Sequence, residues 1–313
     1  MNNKCPLCGS DKYITVERYG VIGLSKYECR IVRCHSCGHY FSNITNDIDF
    51  EELYSGGNYK VIDTRKLLFD KIISIDDRLI IWQLSKLKVT EKTLLDFGCG
   101  KGQFIYKALK YGWKVKGIET AKNRAKYGIN EYGLDISTCE YRTGLVDGAP
   151  FNVITLFHVL EHLPRPKELL RELIDNNLTQ NGYLVIEVPL FESLQSKVAG
   201  KRWMHLDPPL HISHFTKSSL LKLLGDLDFN PVKYEYFSIH LGILGMVQSV
   251  MSLLGYNRMI ISELKFRRTK CLIISILLVL PLAFFLELLA VIFNKGGVIR
   301  VYCKRLTDHR KNA

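Results

Sequence analysis

The sequence predicts an α/β fold: an open, mostly parallel sheet, preceded by a cysteine ribbon and interrupted by an apolar helical insertion ahead of its last strand. Three observations carry this reading. Leu94-Leu95-Asp96-Phe97 is a strand-like run that ends in Gly98-Cys99-Gly100-Lys101-Gly102, and Gln103 to Leu109 follows with helical spacing. Two Cys-x-x-Cys-Gly segments, starting at Cys5 and Cys34, stand near the N-terminus. A predominantly apolar run from Cys271 to Phe293 separates two strand-like segments near the C-terminus. A strand, a glycine turn and a helix in that order place a nucleotide-like ligand at the carboxyl end of an open α/β sheet.

Residues 1–43 read as a zinc ribbon. Cys5, Cys8, Cys34 and Cys37 form two knuckles, and two such pairs complete a closed tetrahedral site. Tyr13, Thr15 and Val16, then Tyr27, Ile31 and Val32, are strand formers around Gly20 and Gly23, so the stretch between the knuckles reads as a hairpin. Four thiolates leave no open coordination position, which makes the expected zinc structural. Cys29, His35 and His39 are spare ligand candidates. A segment this short needs a metal to be stable.

Residues 44–93 read as a helical cap. Phe50, Leu53, Tyr54 and Tyr59 are placed to cover a ligand pocket, and Ile72, Ile73, Ile75, Leu79, Ile80, Trp82, Leu84 and Leu87 form an apolar helical face. Residues 94–237 hold the ligand-binding sheet. Its turn reads Asp-x-Gly-x-Gly-x-Gly, with the acidic residue ahead of the turn, whereas a dinucleotide loop wants G-x-G-x-x-G. A carboxylate there repels phosphate and attracts an ammonium. About twenty residues on, the run Val115 to Ile118 ends in Glu119, which is placed to accept hydrogen bonds from a ribose. S-adenosylmethionine (SAM) has an amino-acid tail, a ribose and no phosphate, and it suits both carboxylates. Asp96, Gly98, Cys99, Gly100 and Glu119 are the expected cofactor-binding residues, with Phe157 at the end of a later strand.

With these residues the chain resembles the class I SAM-dependent methyltransferases. Phe151 to Phe157, followed by His158-Val159-Leu160-Glu161-His162-Leu163, is similar to that family's fourth strand and following helix, with its Val-Leu-Glu-His signature. Gly182 to Pro189 is similar to the fifth strand, and His211 to Thr216, with Leu220, Leu221, Leu224 and Phe229, to the helix before the sixth. The resemblance implies a Rossmann-like seven-stranded sheet over roughly residues 50 to 237 plus the last strand. Asn152 departs from the family's usual aspartate. Other branches supply the acceptor expectations. A zinc ribbon precedes the same domain in families similar to sugar C-methyltransferases. Glycan-pathway and ubiquinone-biosynthesis methyltransferases share the Val-Leu-Glu-His signature. Ribosomal-RNA guanine methyltransferases also carry an N-terminal zinc module.

Methyl transfer to oxygen calls for a general base, for which histidine is suited. His158, His162, His211 and His214 are available. His158 and His162 read as one helical turn apart at the cleft mouth, and His211 and His214 as part of a pocket wall beside Trp203. His211 is the first choice for the base and His162 the second. Asp207-Pro208-Pro209-Leu210 resembles the motif that holds a flipped base in nucleic-acid amino-methyltransferases. It follows the fifth strand rather than the fourth and ends without an aromatic, so it reads as a loop.

Residues 238–296 form the insertion, between Pro231 to Phe237 and Val298 to Lys304, which read as strands six and seven. Residues 297–313 are that last strand and a basic tail. The apolar run is long enough to span a bilayer. Both strands must lie on one side of it, and Arg267, Arg268 and Lys270 before the run and Lys295 and Arg300 after it mark both ends as cytoplasmic. Pro281 removes a helix hydrogen bond near the midpoint. A bent helix dipping into one leaflet fits. A two-helix hairpin with Leu241 to Leu254 and a buried soluble helix are the alternatives, Glu287 favouring the latter.

The chain has 313 residues, a net charge of +12 and nine cysteines. The odd cysteine count and the knuckle pattern argue for a reducing cytosol over a disulfide framework, and the polar first thirty residues lack a secretory h-region. The positive balance favours anionic partners: membrane surface, nucleic acid or phosphorylated substrates. The apolar insertion turns the choice towards a small or lipid-linked acceptor (a glycan, sugar or quinol-like lipid) at the cytoplasmic face of the cell membrane. An RNA methyltransferase is the alternative, and an inactive SAM-binding scaffold the non-enzymatic one.

Overall fold

The computed structural model describes residues 4–24, 27–44, 68–138, 140–266 and 269–306. Phe50, Leu53, Tyr54 and Tyr59 lie outside them. In the ribbon, β1 (Tyr13–Thr15), β2 (Val21–Leu24), β3 (Tyr27–Cys34) and β4 (Tyr40–Ile44) form one antiparallel sheet, in which β3 pairs with the other three. The expected hairpin is thus a four-strand unit, and its Tyr19, Cys29 and Ile31 pack against Phe191, Ala199, Trp203 and Leu206.

After the ribbon come α1 (Leu68–Leu84), β5 (Thr93–Phe97), α2 (Gln103–Lys110), β6 (Lys114–Ile118), α3 (Lys122–Tyr132) and β7 (Ile136–Ser137). Next are β8 (Phe151–Phe157), α4 (Pro166–Asn177), β9 (Leu178–Pro189), α5 (Leu194–Ala199), β10 (Ser213–His214), α6 (Lys217–Gly225) and β11 (Phe229–Glu235). The seven-stranded sheet has the order β11-β12-β9-β8-β5-β6-β7, where β12 is Val298–Arg305. β5, β6, β7, β8 and β9 are parallel, and β12 runs antiparallel between β9 and β11. β8 and β9 read as near-continuous apolar runs because both faces of the sheet are covered. One face packs Leu95, Ile154, Leu156, Leu184 and Ile186 against α4 and α6. The other packs Leu94, Val153 and Val185 against α1 and α2. The chain runs β5-β6-β7 in one direction and returns to β8 on the other side of β5. The crevice beyond the carboxyl ends of β5 and β8 is therefore the ligand position of an open sheet.

Two expectations are corrected here. The apolar face expected on α1 is divided. Ile80, Ile81 and Leu84 are buried against the sheet, whereas Ile75, Leu79 and Trp82 face outward, and Lys86 lies over the Trp82 ring. The side chains of Ile72 and Ile73 lie outside the description. Second, Leu160–His162 is a single 3-10 turn, and the helix starts only at Pro166. His158 has a left-handed φ of 55°, so it and His162 share no helical face.

The insertion is α7 (Ile239–Leu253), α8 (Ile260–Phe266) and α9 (Lys270–Ile292). α9 runs as one helix with Pro281 inside it. It is long and apolar enough to cross a membrane, yet it lies along α7 with 17 % of its most apolar stretch buried. Leu272, Ala283, Glu287 and Ala290 face the protein, and Ile274, Leu277, Leu278, Leu282 and Phe285 face outward. Glu287 is buried, accepting from Gln195 Nε2 at 2.8 Å and from the Gly297 amide at 2.8 Å.

Candidate active site

Gly98, with φ 80°, turns the chain out of β5; a Cβ there would lie 2.4 Å from Val159 Cγ2, so only glycine lets the turn close on the loop after β8. Gly100, with φ 58°, faces open space, the room a bound ligand needs. Glu119 caps the end of β6: its Oε2 accepts the Gly100 amide at 2.9 Å and its Oε1 accepts the Ala121 amide at 2.7 Å. Asp96 is buried and accepts from Thr155 Oγ1 at 2.7 Å. Burial pushes its carboxyl up to about 7; the Thr155 hydrogen bond opposes the rise, and the charges of Asp77 and Glu119 add to it. Two further candidates turn inward. The Cys99 thiol packs against Gly117 in the core. Phe157 sits edge-on to Phe104, with centroids 5.0 Å apart.

The loop after β8 forms the other half. His158 Nδ1 donates to Glu161 Oε1 at 3.2 Å and Nε2 donates to Glu187 Oε1 at 2.9 Å. Burial opposes its charge, but the two carboxylates outweigh it and raise the imidazole to about 10. An imidazole protonated at neutral pH, with both nitrogens engaged, is not a base. Burial would raise both glutamates as well. His158 holds Glu161 at about 2, and Arg300 together with His158 holds Glu187 at about 2. Arg300 pairs with Glu187 and reaches Glu235 at 2.9 Å; Asp76 of α1 lies 3.9 Å from it and accepts from Ser238 Oγ at 2.7 Å.

His162 and His211, the two expected bases, come together edge-to-face with ring centroids 4.7 Å apart. His162 Nδ1 donates to the Leu210 carbonyl at 3.0 Å, and His211 Nδ1 donates to the His205 carbonyl at 2.7 Å. A carbonyl can only accept, so each Nδ1 carries the proton and each Nε2 keeps a lone pair. Burial lowers both pKa values, which keeps the rings neutral. Among the described residues the second oxygen of Glu161 has no hydrogen-bond partner, and Glu161, His162 and His211 offer ligand-type atoms within 4.8 Å of one another. His214 instead hydrogen-bonds Ser42 Oγ at 2.9 Å. Asp207 to Leu210 is a turn closed by the Leu210 and His211 amides on the Asp207 carbonyl, with Leu210 buried, in keeping with a loop.

The four knuckle sulfurs cluster, with Cys5–Cys37 and Cys8–Cys34 each at 3.5 Å. A tetrahedral zinc with bonds of about 2.3 Å sets sulfurs about 3.8 Å apart, so the set fits. The Leu7 and Cys8 amides point at Cys5 and those of Ser36 and Cys37 at Cys34, as thiolate ligands require.

Sequence reasoning missed Thr155, Glu187, Arg300 and Asp76. A signal existed for two of them: Glu187 and Arg300 are lone charges in the apolar runs Val185–Pro189 and Val298–Tyr302. The strand register sets them side by side.

A carboxylate beside the glycine turn, with open space at Gly100 and an acidic cap on β6, makes this the site of a transferase that uses SAM. Comparison with known proteins narrows the class: the chain belongs to the methyltransferase-domain family, whose model matches residues 76–234. It is similar to the ubiquinone biosynthesis O-methyltransferase of Caulobacter vibrioides, 36 % identical over 88 residues, 25 % of this chain and 34 % of that protein. It is also similar to sphingolipid C9-methyltransferase 1 of Gibberella zeae, 30 % identical over 126 residues, 37 % of this chain and 23 % of that one. The chain thus spans about a quarter to a third of these curated relatives. Among solved structures, a plantazolicin methyltransferase bound to S-adenosylhomocysteine (SAH) aligns at TM-score 0.48 and 15 % identity, covering 83 % of this chain and 91 % of that one. An O-methyltransferase of a Brevibacillus brevis multienzyme, also bound to SAH, aligns at TM-score 0.49 and 13 % identity, covering 78 % and 77 %.

Proposed function

We propose that this methyltransferase modifies an oxygen of a small or lipid-linked acceptor (a glycan, sugar or quinol-like lipid) at the cytoplasmic face of the cell membrane. The observation that carries the membrane reading is the outward face of α9, where Ile274, Leu277, Leu278, Leu282 and Phe285 are exposed together. An apolar helix that lies along the domain suits shallow docking on one leaflet. The names of the similar proteins, a ubiquinone-pathway O-methyltransferase and a sphingolipid methyltransferase, support a lipid-like acceptor. RNA binding would leave this face without a use.

SAM supplies an activated methyl group on a sulfonium. Asp96 would hold its ammonium, Glu119 its ribose, and the glycine turn its tail. The acceptor enters from the side of His162 and His211. Bound SAM would supply the electrophilic methyl, and the neutral Nε2 of His211 is, in our reading, the group that takes the proton of the acceptor hydroxyl. Structural zinc on Cys5, Cys8, Cys34 and Cys37 would hold the ribbon.

The test is mass spectrometry of lipid-linked and glycan extracts from cells with and without the gene. A species heavier by one methylene only when the gene is present names the acceptor. If the sole methylation difference falls in RNA, the reading is wrong.

A further inference from the structure

We propose that Ser42 of the ribbon is a positioning residue for His211, so that the ribbon builds the acceptor side of the site and leaves the cofactor side alone. The inference rests on the reading of His211 as the proton acceptor. The loop carrying His205, Leu210 and His211 is not closed by the seven-stranded sheet. It ends in β10, which joins the ribbon sheet as its fifth strand, Ser213 opposite Phe41 and His214 opposite Tyr40.

Ser42 makes three bonds to this loop. Its amide donates to the Ile212 carbonyl at 2.9 Å. Its hydroxyl donates to the His211 carbonyl at 2.8 Å and accepts from His214 Nε2 at 2.9 Å. Ser42, His211 and His214 are all buried, so water does not replace a lost partner. On the opposite side the Ile212 amide donates to the Glu161 carbonyl at 2.8 Å. Residues 211 and 212 are therefore held between β4 and the loop after β8. β4 is in turn held by the knuckle, where Cys34 donates its amide to the His39 carbonyl at 2.9 Å. Asp96, Gly98, Gly100 and Glu119 make no contact with the ribbon among the bonds of the described residues.

Deleting the hydroxyl leaves the His211 carbonyl and His214 Nε2 without a partner, and the local backbone must shift to satisfy them. That loosens the His205–His211 bond that fixes the His211 tautomer. A misplacement of about 1 Å costs on the order of a hundredfold in rate.

The experiment uses full-length protein labelled with 15N-histidine. It compares wild type, Ser42→Ala, Ser42→Thr and Ser42→Cys, with His211→Gln to assign the signal. Imidazole spectra report the tautomer, and calorimetry with SAH reports the cofactor side. The expected result is a single Nδ1–H tautomer of His211 in wild type and Ser42→Thr, mixed tautomers in Ser42→Ala, and SAH affinity within about twofold throughout. Should Ser42→Ala fold poorly, Ser42→Cys carries the comparison with the same expectation. A His211 signal unchanged in Ser42→Ala overturns the proposal, and so does SAH affinity that falls with it. Methylation that survives in His211→Gln cells instead overturns the base assignment and leaves the positioning result standing.

Discussion

Thr155 donates its hydroxyl to Asp96 at 2.7 Å, from directly opposite it on the neighbouring parallel strand. Burial, opposed among the described residues by this one hydrogen bond, leaves Asp96 at about 7, the reverse of a carboxylate stabilised by several donors. The free protein therefore holds a neutral Asp96 below that pH, and the ammonium of SAM selects the ionised form. We expect SAH affinity, read by calorimetry, to rise about tenfold per pH unit below 7 and to level off above it. Asp96→Asn should weaken binding and flatten the profile; an unchanged profile means the ammonium lies elsewhere.

The glycine turn gives a paired prediction. Gly100→Val places a side chain in open space and should abolish SAH binding. A non-glycine residue at its φ of 58° costs about 1–2 kcal/mol of stability. Gly98 lies against Val159 rather than the cleft, so Gly98→Ala should lower the melting temperature more than Gly100→Ala does. Glu119→Ala should weaken SAH by about 1.5–3 kcal/mol, the scale of a hydrogen bond to a charged group. Full affinity in both Gly100→Val and Glu119→Ala would place the cofactor at another site.

His158→Gln leaves the buried Glu161 and Glu187 without the half-buried cation between them. Removing one member of a buried charge cluster costs about 3–5 kcal/mol, which urea unfolding at neutral pH would read. The sign with pH follows from the shifts. His158 is raised from 6.5 to about 10, so its contribution is complete below 6.5 and is lost as pH climbs towards 10. The two glutamates are lowered from 4.5 to about 2, so theirs is lost as pH falls through that window. Wild type should lose stability on both sides, and His158→Gln should lose less of it on the alkaline side.

The knuckles predict one zinc per chain, read by metal analysis, and its loss in Cys5→Ser or Cys34→Ser. Since the sulfurs lie in the ribbon, SAH affinity should survive the loss while thermal stability falls. Freshly purified wild type without zinc would refute the assignment.

The outward face of α9 predicts fractionation with membranes and a need for detergent. Leu278→Glu with Phe285→Glu changes two exposed side chains of that face, so it should move the protein to the soluble fraction with SAH binding intact. Wild type that stays soluble without detergent would reassign that face to a protein partner.

Much of this molecule could be read in the chain itself. The strands Leu94–Phe97, Phe151–Phe157 and Val298–Lys304, the glycine turn with Asp96 and Glu119, and both cysteine knuckles are short-range patterns whose chemistry is complete within a few residues. Periodicity and turn chemistry act over that distance, so sequence alone determined them. It also singled out His162 and His211 by type, though it placed the first on a helix that begins only at Pro166. Tertiary structure decided the rest. Which face of α1 is buried, which way the Cys99 thiol points, and that Ser42 meets His211 across 169 positions depend on how distant elements pack. Arg300 and Glu187 become partners only because β12 returns from the insertion to pair with β9 in that register. Charge pairing in a low-dielectric interior depends on distance in space, and a linear sequence does not carry that distance.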